Sequence, residues 1–421
     1  MIKEVFKRLV GERVGRIEQE WTFDAKAGIM NAPIVASLKR GGDDKYIFVP
    51  TKDGILYALR PSGDVLWSFN SQESKDKVSD VEMMFKEDEI AWNVTSPAVD
   101  DLNDDGESEV VFGSESGLLF AVKSNASLLW RFKAGDAIRA QPVICDINGD
   151  GKQEIVFGAV DGMVYVLNNK GKLLWSLDAG SPIECKAAFE PKTGQLVVGT
   201  DSGRLISISP RGKLLWQFDT GDKITAEPVF VDLKSKGEQN ILFGSFDNTL
   251  YALDVRGNPV WAYKSEGKIC SAACTADVNH DSKPEVFFGS CDNNVYALNS
   301  EGSKIWSFET DFWVASSPIV LDIDRDGRLE VVAGSFDHFL YILEAEGAFM
   351  LDYMPGVSGV VQQSGSYGNV MTSEPGGFHG KKIWQLKTEG IIVGLTRLTG
   401  SKEQVLICTA NGRISSVVHT N

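Results

Sequence analysis

A repeated tryptophan phrase is the strongest constraint on how this chain can fold. Eight of its ten tryptophans stand two residues before Phe, Leu or Tyr, and most of them are about 45 residues apart. The eight are Trp21, Trp67, Trp130, Trp175, Trp216, Trp261, Trp306 and Trp384. The two long intervals, after Trp67 and before Trp384, each hold one period plus an insertion. A fixed period of this size indicates one supersecondary unit that is copied many times.

Each repeated unit contains four short apolar runs of strand length, rich in Val, Ile, Leu and aromatic residues. Asp-Gly or Asp-Asn pairs, such as Asp161-Gly162 and Asp247-Asn248, separate the second run from the third and suit tight hairpins with positive φ. Four antiparallel strands per unit at this period predict a propeller blade. In the third unit the runs are Pro142–Ile147, Glu154–Gly158, Met163–Asn168 and Lys172–Leu177.

The two ends of the chain predict how the ring of blades closes. The last unit begins near Ile391, has further runs at Gln404–Cys408 and Arg413–Val418, and lacks a fourth strand. The first tryptophan phrase, Arg16–Phe23, is a fourth strand without a unit before it. We therefore predict that the amino-terminal strand completes the carboxy-terminal blade, which removes exposed sheet edges at the junction. The prediction is a single all-β domain over residues 1–421, an eight-bladed propeller of four-stranded antiparallel blades.

The segment Ala252–Trp261 (ALDVRGNPVW) resembles the tryptophan-docking motif of the PQQ-like repeat propellers. That family includes the eight-bladed quinoprotein dehydrogenases and the lipoprotein of the outer-membrane barrel-assembly machinery. The resemblance covers essentially the whole chain, with close versions of the motif at Trp67, Trp175, Trp216 and Trp306. It implies that all eight tryptophans, called the docking tryptophans below, pack against the neighbouring blade. It specifies the fold more than the function, because one fold hosts many activities.

Four units carry an acidic loop between their first and second runs. Oxygen-bearing side chains stand at positions 1, 3, 5 and 9 of each loop, a spacing that can surround one hard cation such as Ca²⁺. The loops are similar to the calcium loops of FG-GAP repeats, which implies bound Ca²⁺ with a structural role. The predicted ligands of these four acidic loops are Asp101, Asn103, Asp105, Glu109, Asp146, Asn148, Asp150, Glu154, Asp277, Asn279, Asp281, Glu285, Asp322, Asp324, Asp326 and Glu330.

The same loops have an alternative interpretation that needs no metal. Asp and Asn oxygens can accept hydrogen bonds from nearby backbone N–H groups and form Asx turns. The fifth unit has Asp232, Lys234 and Lys236 at positions 1, 3 and 5, so its ammonium groups can replace the cation. We expect that loop to be free of metal.

Catalytic signatures are missing from the sequence. The four histidines form no metal-binding pair, and no phosphate loop or nucleophile elbow is present. The adjacent Cys-Cys pair that quinoprotein dehydrogenases carry is absent, as is the lipobox cysteine of the assembly lipoprotein. We therefore expect no PQQ and no catalytic residues. The six cysteines follow the repeat, and we expect buried free thiols.

Charge and hydropathy limit the partners and the location. The chain has 42 basic and 58 acidic residues, a net charge of −16, which disfavours nucleic-acid binding. The sequence contains no run of about 18 apolar residues, so no transmembrane helix is predicted. Residues 1–20 lack the apolar core of a secretory signal, which predicts a cytoplasmic protein. The alternative is an extracytoplasmic protein whose export signal is missing from this sequence. The oligomeric state is not predicted.

We call the propeller face that holds the blade-connecting loops and the hairpins between second and third strands the top face. Residues just before each first strand should surround the mouth of the central channel there, and these channel-mouth residues are Asn31, Thr95, Arg139, Gln141, Glu184, Lys186, Glu227, Ser271 and Ser316. Beyond an extension at 1–15, insertions at 70–95 and 345–382 break the repeat. The first is expected to form a lid or partner-docking segment through Met84, Phe85 and Trp92.

These observations predict a non-catalytic scaffold that binds proteins or peptides through the top face and the insertions. One alternative is an enzyme for a small molecule or sugar, with a deep pocket and a clustered acid and base near Arg139, Glu184, Lys186 and Glu227. A second alternative is an extracellular recognition propeller loaded with calcium. Leu351 competes with Trp384 for the fourth strand of blade seven, and the docking phrase Gly380–Trp384 favours Trp384, which would place the insertion at 345–382 on the bottom face. If Leu351 is the strand residue, the insertion lies on the top face, so its side stays open.

Overall fold

A computed structural model describes residues 15–72, 93–349, 378–400 and 402–420. These residues form eight four-stranded sheets, each of them antiparallel, arranged as the blades of one propeller. The described part of the chain contains no helix, and accordingly none with the length and apolarity to cross a membrane. The all-β, eight-bladed architecture expected from the tryptophan repeat is confirmed.

The strands follow the predicted runs to within a few residues. The amino-terminal strand is β1 (Arg16–Asp24). Blades one to three contain β2 (Ile34–Ala36), β3 (Tyr46–Pro50), β4 (Ile55–Leu59), β5 (Val65–Asn70), β6 (Ala98–Asp100), β7 (Glu109–Gly113), β8 (Leu118–Val122), β9 (Leu128–Lys133), β10 (Val143–Cys145), β11 (Glu154–Gly158), β12 (Met163–Asn168) and β13 (Leu173–Asp178).

The remaining blades repeat the same plan. Blades four to six contain β14 (Ala188–Glu190), β15 (Gln195–Gly199), β16 (Arg204–Ile208), β17 (Leu214–Asp219), β18 (Val229–Val231), β19 (Asn240–Gly244), β20 (Thr249–Asp254), β21 (Pro259–Lys264), β22 (Cys274–Ala276), β23 (Glu285–Gly289), β24 (Asn294–Leu298) and β25 (Lys304–Glu309). Blades seven and eight contain β26 (Ile319–Leu321), β27 (Glu330–Gly334), β28 (Phe339–Phe349), β29 (Phe378–Lys387), β30 (Ile392–Thr399), β31 (Glu403–Thr409) and β32 (Arg413–Thr420).

Blade eight closes the ring as the sequence predicts. Its strand order is β1-β32-β31-β30, and β1 pairs with β32 from Arg16 opposite Thr420 to Asp24 opposite Arg413. In blade seven, Trp384 lies on the fourth strand, opposite Ile342 of β28. Trp384 is therefore the fourth-strand residue, as preferred. The strands β28 and β29 extend into both ends of the 345–382 insertion, and its residues 350–377 lie outside the described part of the chain.

The core lies between blades rather than within one of them. Eight clusters of buried apolar side chains each join two neighbouring blades around the ring. In the cluster between blades four and five, Val197 and Leu205 pack with Ile241 and Phe243. The second strands of blades two to seven, such as β11 and β19, are buried along their whole length. Because no blade has a core of its own, the blades stabilise one another.

Seven of the docking tryptophans bridge neighbouring blades by the same hydrogen bond. Each indole Nε1 donates to a carbonyl oxygen of the next blade at 2.9 to 3.3 Å. In most blades this carbonyl lies in the turn before the fourth strand. The pairs are Trp67 to Ser124, Trp130 to Asn169, Trp175 to Pro210, Trp216 to Val255, Trp261 to Ser300, Trp306 to Ala345 and Trp384 to Gly15. The indole of Trp21 packs on Gly63 instead, and its Nε1 has no acceptor among the described residues.

The glycine of that turn lies under the indole ring. Gly257 has φ +84°, and a Cβ there would lie 2.7 Å from Cδ2 of Trp216. Gly171, Gly212 and Gly302 meet the preceding blade's tryptophan in the same way. Glycine is therefore needed both for the left-handed backbone and for the close approach of the ring. In blade two the corresponding residue is Ala126, which adopts φ 66°.

We predict opposite effects for two substitutions at equivalent turns. Gly257→Ala should destabilise the protein by about 1–3 kcal/mol, because it combines backbone strain with overpacking against Trp216. Ala126→Gly should be neutral or stabilising by up to about 1 kcal/mol, because it relieves a left-handed alanine. Urea unfolding midpoints of both variants and the wild type measure the difference. Equal midpoints for the two variants would contradict the docking argument.

Candidate functional site

A repeated backbone contact positions every loop of the top face. In each blade, an N–H group in the hairpin between the second and third strands donates to a carbonyl of the loop that enters the blade, at 2.8 or 2.9 Å. The pairs, in blade order, are Lys52 to Gly28, Glu115 to Asn93, Val160 to Ala137, Asp201 to Pro182, Phe246 to Lys223, Cys291 to Lys268, Phe336 to Trp313 and Ala410 to Ile391. The backbone is thus constant around the ring while the side chains vary.

A cavity of about 230 Å³ opens at the channel mouth on this face. It is lined by eight of the nine channel-mouth residues: Asn31, Arg139, Gln141, Glu184, Lys186, Glu227, Ser271 and Ser316. Thr95 is buried instead, and its hydroxyl accepts a hydrogen bond from the Gly113 N–H. The cavity is smaller than the roughly 300–1,000 Å³ of typical small-molecule pockets.

The charged channel-mouth residues are paired with one another. Nη1 of Arg139 lies 2.6 Å from Glu184, and its Nη2 and Nε contact the carboxylate of Glu115 in the neighbouring blade. These two carboxylates raise the pKa of Arg139 above its usual range, chiefly through their hydrogen bonds. Nζ of Lys186 lies 2.7 Å from Glu227. The four residues proposed as an acid and base therefore form ion pairs.

An exposed aromatic patch occupies the same face between blades six and seven. It consists of Phe312 and Trp313, with ring centroids 5.3 Å apart, and Phe336, 6.2 Å from Trp313. Phe312 and Trp313 are 47% and 45% exposed, which is unusual for such large apolar side chains. The sequence reasoning missed this aromatic patch. The available signal was that Trp313 stands outside the docking phrase, only seven residues after Trp306.

The acidic loops lie between the first and second strands, and their oxygens accept backbone hydrogen bonds. In blade two, Asp101 accepts from the N–H groups of Asn103, Asp105 and Gly106. Glu109 accepts from the Leu102 N–H and from the amide of Asn103. The loops that contain Asp146–Glu154, Asp277–Glu285 and Asp322–Glu330 follow the same scheme.

The lysine-bearing loop of blade five provides an internal comparison. Asp232 accepts hydrogen bonds from the N–H groups of Lys234, Lys236 and Gly237, the same pattern that Asp101 makes. The same Asx-type hydrogen bonds therefore support the loop where lysines stand at positions 3 and 5 and where oxygen-bearing side chains do.

The blade-seven loop has the donor geometry that best suits a cation. Among the described residues, it alone brings three carboxylates, from Asp322, Asp324 and Glu330, within 4.8 Å of one another. The remaining predicted ligand of this loop, Asp326, forms an ion pair with Arg328 at 2.8 Å.

In the other three acidic loops, the glutamate at position nine is buried near negatively charged aspartates. Burial raises the pKa of Glu109, Glu154 and Glu285, and neighbouring aspartates raise it further. A hard cation with oxygen ligands fits this environment, since it would compensate for the buried negative charge.

Met84, Phe85 and Trp92 lie outside the described residues, as does most of the 70–95 insertion. The prediction that they dock a partner stays a prediction. Three of the six cysteines, Cys145, Cys185 and Cys408, are buried free thiols as expected. Contrary to that expectation, Cys270, Cys274 and Cys291 are partly exposed, because the first and last lie on top-face loops.

Comparisons with known proteins support the fold assignment. The sequence profile of the family described as outer membrane protein assembly factor BamB matches residues 52–269, just over half of the chain. The profile of the lambda-carrageenase β-propeller domain matches residues 266–354. No curated protein matches the sequence.

Solved structures of similar shape have low sequence identity. BamB from Moraxella catarrhalis is 15% identical with a TM-score of 0.64, covering 96% of this chain and 99% of that one. Sqt1 from Saccharomyces cerevisiae is 12% identical with a TM-score of 0.68, covering 96% and 99%. Quinohemoprotein alcohol dehydrogenase from Comamonas testosteroni is 12% identical with a TM-score of 0.64, covering 97% and 78%. At these identities the likeness concerns the fold alone.

We predict that the ion pairs of the channel mouth contribute little to stability. Arg139→Gln should lower the free energy of unfolding by less than about 1 kcal/mol, because the guanidinium is 45% exposed and screened by water. Urea midpoints measure the change, with Arg204→Gln, which loses one exposed ion pair to Asp219, as the control. A loss of several kcal/mol would show that Arg139 holds blades together rather than facing a ligand.

Proposed function

The chain belongs to the family described as outer membrane protein assembly factor BamB, and on that premise we propose that it is a non-catalytic scaffold that binds proteins through its top face. The observation that carries the proposal is the exposed aromatic patch. A few residues dominate the binding free energy of a protein interface, and tryptophan is among the residue types that are enriched there. A propeller presents such side chains on loops held by a rigid ring.

The backbone beneath the aromatic patch is already fixed in place. The carbonyl of Phe312 accepts hydrogen bonds from the hydroxyl groups of Thr310 and Ser335, at 2.6 and 3.0 Å. The carbonyl of Trp313 accepts the Phe336 N–H at 2.9 Å. Because this loop is preorganised, a partner that covers the rings loses little conformational entropy on binding. The partner that suits this surface is a protein or peptide with an apolar side chain that packs against Trp313.

The charged channel-mouth residues favour binding over catalysis. A general acid or base must be available to exchange a proton with a substrate. Glu184 and Glu227 each face a cation instead, Arg139 and Lys186 respectively. Such paired charges at the edge of an interface set orientation and specificity more than affinity.

A comparison of three bait proteins tests this proposal. Wild-type protein, Trp313→Ala and Leu215→Ala are immobilised at equal density and exposed to a native lysate. Leu215 is 53% exposed on the outer strand β17, away from the top face, and provides the matched control. We expect a protein that the wild type and Leu215→Ala retain and that Trp313→Ala loses by at least about tenfold, the effect of roughly 1.4 kcal/mol or more.

Identical retained proteins for all three baits would overturn the proposal. Circular dichroism and urea midpoints of the baits show whether each is folded. Because Trp313 is nearly half exposed and lies outside the cores between blades, its truncation should leave the midpoint close to that of the wild type.

We also propose that the acidic loops bind Ca²⁺ as a structural ion, with the blade-seven loop as the strongest site. The carboxylates of Asp322, Asp324 and Glu330 would hold the ion, and its charge would relieve their mutual repulsion. The ion would stiffen the face opposite the top face and would not take part in a reaction. The chemistry of the donor set supports this proposal.

Calcium should raise the melting temperature most near neutral pH. The raised pKa of Glu109 and its equivalents means that their protonated form favours the folded state, and that this contribution is lost as the pH rises through their folded-state pKa. Bound Ca²⁺ compensates the negative charge of the deprotonated glutamates. Protons compete for the same carboxylates at low pH, so the stabilisation by Ca²⁺ should shrink as the solution is acidified. A free concentration about 100 times Kd would add about 2.7 kcal/mol.

Two matched substitutions at position one of a loop separate binding from general salt effects. Asp322→Asn should reduce the calcium-dependent shift in melting temperature, whereas Asp232→Asn, in the lysine-bearing loop, should leave it unchanged. Scanning calorimetry with calcium and with a chelator measures both. No shift with calcium in the wild type, or equal shifts in both variants, would contradict calcium binding at these loops.

A further inference from the structure

The repeated backbone contact of the top face places two cysteines together in a single blade. Two residues occupy equivalent positions beside this hydrogen bond in every blade. One stands two positions after the carbonyl acceptor, and the other is the hairpin residue whose N–H donates to that carbonyl. In blade six the two residues are Cys270 and Cys291, and the Cys291 N–H donates to the Lys268 carbonyl at 2.9 Å. In the other blades, in order, the residue pairs are Met30 and Lys52, Thr95 and Glu115, Arg139 and Val160, Glu184 and Asp201, Thr225 and Phe246, Ala315 and Phe336, and Val393 and Ala410.

The two sulfur atoms already lie close together. Sγ of Cys270 is 3.8 Å from Sγ of Cys291, without a bond between them. A disulfide bond is about 2.05 Å long, so rotation of the side chains by a modest amount would bring the atoms to bonding distance. Further hydrogen bonds fix the backbone, since Glu266 N–H donates to Asp292 and the hydroxyl of Ser290 donates to the Gly267 carbonyl.

The thiols are also accessible. Both cysteines are partly exposed, and Cys270 lines the channel-mouth cavity. Cys274 is four residues further along, on the inner strand β22, and does not line that cavity. The geometry thus selects one pair of the chain's six cysteines.

We propose that Cys270 and Cys291 are a modification site, a dithiol that low-molecular-weight disulfides such as glutathione disulfide oxidise to an intramolecular disulfide. The thiolate of one cysteine attacks a sulfur of glutathione disulfide, breaks its S–S bond and releases one glutathione. The thiolate of the second cysteine then attacks the protein sulfur of the mixed disulfide and releases the second glutathione. The two protons of the protein thiols end on the two glutathione thiols, so two electrons pass from the protein to the oxidant.

Local electrostatics support Cys291 as the attacking thiolate. The hydrogen-bond contact between the two thiols lowers the pKa of Cys291, and the charge of Lys268 acts in the same direction, whereas burial and the Asp292 carboxylate act against it. The same contact, together with burial, raises the pKa of Cys270. The thiolate is the nucleophilic form of cysteine, so Cys291 is the better candidate for the first attack.

The new bond would fasten the loop between blades five and six to the hairpin of blade six. It would link residues that are 21 positions apart and withdraw the Cys270 thiol from the cavity wall. This inference depends on the thiol geometry alone, and it stands whether or not the top face binds a protein.

Peptide mapping of the full-length native protein tests the site. The reduced chain is incubated with glutathione disulfide, free thiols are blocked with N-ethylmaleimide, and the protein is cleaved on the amino side of aspartate. Cleavage at Asp277, Asp281 and Asp292 separates the Cys291 peptide from the peptide that holds Cys270 and Cys274. We expect a disulfide-linked pair of these peptides, the loss of two of the six free thiols, and full reversal by dithiothreitol.

Single substitutions identify the partner of Cys291. Cys274→Ser should keep the linked peptides, and Cys270→Ser should abolish them. The reverse pattern would show that Cys274 is the partner and would overturn the assignment. Six blockable thiols in the oxidised wild type, or a glutathione adduct on Cys291 that Cys270 never resolves, would overturn the proposal of a dithiol site. Circular dichroism of each variant shows whether it is folded.

Discussion

The contact between each docking tryptophan and the turn of the next blade is the interaction on which the ring depends. A blade of four short strands has no core of its own, so its apolar faces are buried only against its neighbours. The indole fixes the spacing of that packing, because its ring lies against a glycine and its Nε1 donates to a carbonyl of the same turn. Trp384 of blade seven makes this hydrogen bond to Gly15, so the contact also holds the amino-terminal strand in the ring, where it pairs with β32.

A frame held in this way allows the top face to vary. One backbone contact repeats in all eight blades, and it leaves the side chains beside it free to differ. Three neighbouring blades use those positions for ion pairs around Arg139, one uses them for a pair of thiols, and the loop of blade seven exposes Phe312 and Trp313. The residues that hold the ring together are therefore different from those that vary on the top face, since the docking contacts lie elsewhere in each blade. A substitution on the top face can leave the ring intact.

The regular features of the structure could be predicted from the sequence because they repeat. The period located the blades, the unpaired run at Arg16–Phe23 located the closing strand, and the phrase before Trp384 located the last strand of blade seven. The aromatic patch and the thiol pair could not be found in this way. They join side chains from separate loops, such as Cys270 and Cys291, and only the shared backbone contact shows that those positions face each other.

Site-specific photo-crosslinking tests most directly whether the aromatic patch is the contact surface for a protein partner. Phe312 is replaced by a photoreactive phenylalanine analogue in the full-length chain, and Leu215 on the outer strand is replaced in a second sample. After illumination in a native lysate, we expect a discrete adduct of defined mass from position 312 and none of that mass from position 215. The same adducts from both positions, or none from position 312, would show that the aromatic patch is not the contact surface.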